Sequence, residues 1–255
     1  GEDAGAERRP GVTPPEVPLS DDERFMSRAL ELGRQGTPSP NPHVGAVVVQ
    51  GGHVVGEGYH ERAGTEHAEV LALRQAGDAA RGATLYVTLE PCNHHGRTPP
   101  CTDAILAAGI ARVVVGCRDP NPHVSGGGME KLLAAGVEVD AGVLEGEARA
   151  LIAPWTKCVT TGLPFVAIKL AMSMDGRIAS RTGESKWVSG ADSRQRVQLL
   201  RSQVDAVAVG IGTALADDPR LTVRDIPGVS PVRVVFDTKL RLPLRSRLVE
   251  TATEV

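Results

Sequence analysis

The stretch that decides the fold runs from Ala83 to Cys117, ATLYVTLEPCNHHGRTPPCTDAILAAGIARVVVGC. ATLYVTLE reads as a buried strand, CTDAILAAG as a helix with a glycine stop at Gly109, and RVVVGC as a second strand. The same alternation continues on both sides. Upstream, AEVLALRQAG is helical and ends at Gly77, a natural C-terminal stop. Before it, VGAVVVQ, the pair Gly51-Gly52 and HVVGEGY give a strand, a turn and a strand. Downstream, GGMEKLLAAG and VEVDAGV add another helix and strand. Strands alternating with helices predict a layered α/β domain over residues 20–148.

That domain opens on Ser20-Asp21-Asp22-Glu23, a capping box with acids in the first turn. Phe25, Met26, Ala29, Leu30 and Leu32 follow at helical spacing and predict a helix over about 21–35. Residues 37–42, TPSPNP, must form a loop, because proline disfavours helix at the residue before it. Residues 1–19 mix charge, glycine and proline without an apolar period and are expected to be a disordered arm. A helical connector is expected at 149–158. A second compartment follows over 159–255, in which PFVAIKLAMS is strand-like, ADSRQRVQLLRSQ helical, and DAVAVGI and VRVVFD further buried strands. So few strands cannot close a large core, and this compartment is expected to be incomplete at its C-terminal end.

A length of 255 residues suits two such compartments. Hydrophobic residues at 41% and charged residues at 23% are ordinary globular usage. A net charge of −3 and a pI near 6.2 argue against a general phosphate-backbone binder. Two Trp, two Tyr and three Phe leave little for stacking bases. No apolar run reaches the ~18 residues of a membrane span, and no charged-then-apolar leader opens the chain. The expectation is a cytoplasmic protein with no nucleic-acid and no membrane partner. Self-association into a homo-oligomer is also expected.

Four cysteines are too few for a disulfide scaffold. Cys117 and Cys158 each read as a buried small hydrophobe or an unremarkable thiol. Cys92 and Cys101 stand differently. Each lies beside a predicted helix start or strand end, and His67-Ala68-Glu69 opens the preceding helix. One imidazole and two thiolates are donors that suit Zn²⁺, and three protein ligands leave an open coordination position, as in catalytic sites. Such a position can hold a water whose pKa falls toward ~7. Glu69 can reach that water without binding the metal and carry protons to a leaving group. His94 or His95 is an alternative fourth ligand, which would make the site closed and structural. The order HAE, PC, C follows the known H-x-E…P-C-x-x-C signature of zinc deaminases, with one departure: eight residues separate the cysteines.

With that spacing the chain resembles the RibD/RibG family of bifunctional riboflavin-biosynthesis proteins. The matching stretches are SPNPHVGAVVV, VGEGYHERAGTEHAEVLALR, YVTLEPCNHHGRTPPC and DPNPHVSGG, then IKLAMSMDGRIAS, TGESKWVSG and VGIGTALADDPRLTVR. The resemblance implies a cytidine-deaminase-like three-layer domain followed by a partial dihydrofolate-reductase-like α/β domain. It implies zinc-dependent deamination of a phosphoribosylated diaminopyrimidinone with release of ammonia, then NADPH-dependent reduction of the ribosyl group. By it, His67, Cys92 and Cys101 are zinc ligands and Glu69 the proton shuttle. Asn41, His60, His94, Arg97, Asp119 and Asn121 would contact base, ribose and phosphate. In the reductase half, Lys169, Ser185, Arg201 and Arg224 would contact substrate, and Ala171, Trp187, Thr213 and Asp217 the cofactor. The family's reductase half extends beyond the point matching Val255. Three other readings stay open: a deaminase with a non-functional reductase remnant, a nucleoside or tRNA deaminase, and a zinc-binding module without turnover. Glu69 separates the last, since a structural site has no use for an unliganded acid.

Overall fold

A computed structural model describes residues 18–95, 99–122 and 127–252. The chain divides into two compact units, residues 1–165 and 166–255. The expected arm, 1–19, falls almost wholly outside the described residues.

The first unit is a five-stranded sheet between two helical layers. Its strands are β1 (Gly45–Gln50), β2 (His53–Tyr59), β3 (Thr84–Leu89), β4 (Arg112–Cys117) and β5 (Glu138–Ala141). They lie in the order β2-β1-β3-β4-β5. β1 runs antiparallel to β2 and β3, while β3, β4 and β5 are parallel. Side chains alternate across a strand, so each strand feeds both faces. Ala46, Val48, Leu85, Val87, Val113 and Val115 pack under the helices α2 (Ala68–Ala76), α3 (Cys101–Ala108) and α4 (Gly128–Ala134). Val47, Val49, Tyr86, Leu89 and Val114 pack under α1 (Asp21–Gly33) and α5 (Glu145–Thr161). Near-continuous valine in the central strands is the sequence consequence of being covered on both sides.

α1 begins as its capping box requires. Ser20 Oγ accepts the Glu23 N–H at 3.3 Å, and the Glu23 carboxylate accepts the Ser20 N–H at 2.9 Å. The expected connector, 149–158, lies inside α5, whose Ala148 and Ile152 are buried against the sheet.

α1 is also tied to the sheet by charge. The Arg112 guanidinium forks onto Asp22 at 2.9 and 2.8 Å and also donates to Asp140, while the Tyr86 hydroxyl donates to Asp22 at 2.7 Å. The Arg112 hydrogen bond holds the Asp22 carboxyl below its usual range despite some burial. A depressed native pKa gives stability that is present above the unfolded value near ~4 and lost as pH falls through the native value. Asp22→Asn should therefore lower stability at neutral pH by about 1–2 kcal/mol, a figure discounted because the pair is partly wet. Thermal melts of both proteins should converge as pH drops below about 4. A gap that stays constant down to pH 3 would contradict this account.

The second unit holds α6 (Ala191–Ser202), β6 (Ala206–Gly210), α7 (Ile211–Asp217), β7 (Val232–Phe236) and α8 (Arg247–Glu250). β6 and β7 pair in parallel. Ile211, Ala214, Leu221 and Leu248 form its small core. Two expectations fail here. PFVAIKLAMS forms no strand, and Val166, Ile168 and Leu170 are 75%, 84% and 62% exposed. An extended apolar segment becomes a strand only by pairing, and among the described residues none offers it a ladder. Nor are β6 and β7 buried strands: Val232 and Phe236 are 63% and 68% exposed, because a two-stranded sheet has few partners to cover its faces.

Candidate active site

The site of the first unit forms where the strand ends of its sheet meet the starts of α2 and α3. His67 is the residue capping the start of α2, with extended backbone, and Glu69 lies in the first turn. α2 can sit this close because of Gly58 on β2. A Cβ there would lie 2.3 Å from the Ala68 carbonyl oxygen. Cys92 follows β3 in the loop after Pro91, and Cys101 is the first residue of α3.

The fold brings the three donors together. His67 Nδ1 lies 3.1 Å from Cys101 Sγ and 3.5 Å from Cys92 Sγ, and the Cys101 N–H donates to Cys92 Sγ at 3.3 Å. All three ligand atoms fall within 4.8 Å of one another. A tetrahedral zinc with ordinary bond lengths has sulfur–nitrogen edges of roughly 3.6 Å and sulfur–sulfur edges of roughly 3.8 Å, so the donor set fits that ion. Neither His94 nor His95 joins the cluster, and both are exposed. The two thiols are hydrogen-bonded to each other and shift in opposite directions. Cys92 is driven toward thiolate by a hydrogen bond from the Cys101 side chain and by His67. Cys101 is driven the other way by its bond to Cys92 and by burial. Ionising both needs a cation among them.

Glu69 is 4% exposed. Burial raises its pKa, with His67 opposing. A buried carboxyl beside the ligand cluster and outside it is placed as an acid–base group requires. It stands outside the ligand cluster but within hydrogen-bonding reach of Cys101.

The other residues expected here are placed as follows. His60, at the end of β2, is buried. Its Nδ1 lies 3.1 Å from the Glu66 carbonyl and its Nε2 2.9 Å from Asn41 Nδ2. A carbonyl only accepts, so Nδ1 carries the proton and Nε2 accepts from the Asn41 amide. Burial lowers the pKa of His60, which suits this neutral tautomer. His60 thus orients the Asn41 side chain. Asp119 is half-buried and accepts the Asn121 N–H at 2.8 Å. Its pKa is raised by burial and by the negative charges of Glu90 and Cys92, and lowered by its own bond to Asn121 and by His94. Its own N–H donates to the Glu90 carboxylate at 3.3 Å. Arg97 lies outside the described residues.

In the second unit, Lys169 and Ala171 line one depression with Ser189, Asp192 and Arg196. Arg201 donates to Gln198 and to the Thr222 carbonyl, and the Arg224 N–H also bonds Gln198. Burial and the nearby Arg224 charge lower the Arg201 pKa. Ser185 is half-buried, and Thr213 and Asp217 are exposed on α7. Trp187 is 72% exposed with the Arg194 guanidinium 4.3 Å over its ring, so it anchors no core.

Glu90 lies inside the matching stretch YVTLEPCNHHGRTPPC, but its residue type there assigned it no role. It is 7% exposed, and its carboxylate accepts three backbone N–H groups.

Comparison with known proteins agrees with this geometry. Residues 19–117 match the cytidine and deoxycytidylate deaminase zinc-binding region, which defines the class of the first unit. Residues 164–255 match the RibD C-terminal domain. The riboflavin biosynthesis protein RibD of Aquifex aeolicus is 52% identical over 233 residues, covering 90% of this chain and 65% of that protein. That of Escherichia coli is 48% identical over 248 residues, covering 91% and 68%. A crystal structure of the Thermotoga maritima diaminohydroxyphosphoribosylaminopyrimidine deaminase/5-amino-6-(5-phosphoribosylamino)uracil reductase superposes with a TM-score of 0.84 at 48% identity, covering 89% of this chain and 66% of that one. The chain belongs to the RibD family, and it spans about two thirds of the length of these relatives. The two-part fold expected from the sequence, deaminase-like then reductase-type, is the one these matches support. Among the described residues no helix is long and apolar enough to cross a membrane.

Proposed function

We propose that the first unit is a zinc-dependent aminohydrolase acting on a phosphoribosylated diaminopyrimidinone. The observation that carries this is the His67–Cys92–Cys101 cluster with a buried acid, Glu69, beside it and outside it. His67 Nδ1 and the two thiolates would hold the ion, which when bound supplies the Lewis acidity that makes hydroxide available at neutral pH. Glu69 takes a proton from the attacking water and delivers it to the ring amino group. The carbon–oxygen bond forms, the carbon–nitrogen bond breaks, and ammonia leaves. Asn41, fixed by His60, donates and accepts toward the pyrimidine edge. The names of the Thermotoga relative's activities supply the substrate class. Arg97 is proposed for the phosphate, since a guanidinium gives it charge-assisted bonds.

The second unit is proposed as the substrate side of an NADPH-dependent reductase. Arg201 and Arg224, drawn together at Gln198, form its cationic feature. The partner of the chain is then a small molecule, and it works in the cytoplasm.

Substrate competition tests the deaminase reading. Ammonia release from the phosphoribosylated diaminopyrimidinone should exceed that from cytidine, deoxycytidylate or tRNA by at least ~10²-fold in kcat/KM, since a site built to pair polar groups rejects ligands lacking them. Comparable turnover of a nucleoside would assign the site to a different deaminase.

A further inference from the structure

We infer that Glu90 is a positioning residue that sets the substrate-side turn 119–121 against the metal-ligand loop. This rests on the deaminase reading above. Glu90 ends the apolar run of β3, two residues before Cys92, and its own N–H donates to the Cys117 carbonyl at 2.9 Å. Its carboxylate bridges two separate pieces of backbone. One oxygen accepts the Asp119 N–H at 3.3 Å; the other accepts the Gly128 and Met129 N–H groups at 3.2 and 3.4 Å.

Further ties reinforce the same junction. The backbone at Gly128 approaches so closely that a Cβ there would lie 2.0 Å from the Pro91 carbonyl oxygen. On the other side of Cys92, the Asn93 amide donates to the Gly127 carbonyl at 3.4 Å and accepts from Thr102 at 3.1 Å. Asp119, whose N–H Glu90 holds, in turn holds the Asn121 N–H. A buried carboxylate is costly unless its acceptor sites are filled, and here three backbone donors fill them. No cation pairs with it among the described residues. What this carboxylate ties together is the backbone at Asp119 and the backbone at Gly128–Met129, from a position two residues before Cys92.

Glutamine cannot reproduce this bridge, because its NH₂ would face a backbone N–H. Glu90→Gln should keep its zinc and raise the KM for the pyrimidine substrate by the ~10–100-fold typical of groups one step behind a site, with a much smaller change in kcat. Glu90→Asp keeps the charge but is one methylene too short to span both pieces of backbone, so it should raise KM by less than the Gln variant and still lose protection at one end of the bridge. Amide exchange by NMR gives a readout independent of turnover. In the Gln variant the Asp119, Gly128 and Met129 amides should lose protection while those of Val113–Val115 keep theirs. Should Glu90→Gln fail to fold, the same KM and exchange comparison is made between Glu90→Asp and wild type, and an Asp variant matching wild type in KM and in all three amides overturns the inference. A folded Gln variant with wild-type KM and unchanged protection also overturns it. If the wild-type chain does not turn over the substrate, the deaminase reading fails, and the exchange data still decide whether Glu90 holds the turn.

Discussion

Glu69→Gln is expected to cut ammonia release by about 10²–10⁴-fold while zinc content and melting temperature stay close to wild type. Glutamine matches glutamate in size and still hydrogen-bonds, so the packing around this 4%-exposed position is preserved. What it cannot do is take a proton and give it back. The residue is no member of the ligand cluster, so its loss should leave the metal in place. Burial, the main cause of its raised pKa, also makes the site favour the uncharged amide over a carboxylate. The variant should therefore be no less stable than wild type. Activity within a few-fold of wild type would reject the proton-shuttle role.

The second large effect concerns the metal. Cys101→Ser should abolish both zinc retention on dialysis and ammonia release. Cys101 Sγ lies 3.1 Å from His67 Nδ1, and its backbone N–H donates to Cys92 Sγ, so it stands at the centre of the donor set. A serine hydroxyl does not ionise near neutral pH and is a poor ligand for a borderline-soft cation. The fold should survive, because the sheet has apolar cores on both faces and does not depend on metal as a zinc finger does. Chelation should lower the melting temperature of wild type and leave that of the variant unchanged. Full zinc content in a folded Cys101→Ser protein would remove this residue from the ligand set.

How much was legible in the sequence follows from how local each signal is. The capping box at Ser20, the valine-rich strands and the glycine stops at Gly77 and Gly109 are local, and the structure has them. The candidate ligands could be named because their residue types and order carry the chemistry, although only the fold shows His67, Cys92 and Cys101 meeting. Glu90 was not legible, since its meaning lies in three amides 29 to 39 positions away. His60 could be paired with Asn41 only once the Glu66 carbonyl fixed its tautomer. The second unit was read less well for a different reason. PFVAIKLAMS has the composition of a strand, but composition does not supply a partner, and without one Ile168 stays 84% exposed.

The central claim, that this chain holds one catalytic zinc at an open site, is tested most directly by titrating the metal-free protein with zinc while measuring ammonia release from the phosphoribosylated diaminopyrimidinone. The account predicts that activity rises linearly to about one zinc per chain and then levels off, as three protein ligands with an open position require. A folded chain carrying its full zinc that releases no ammonia, or one equally active without the metal, would contradict it.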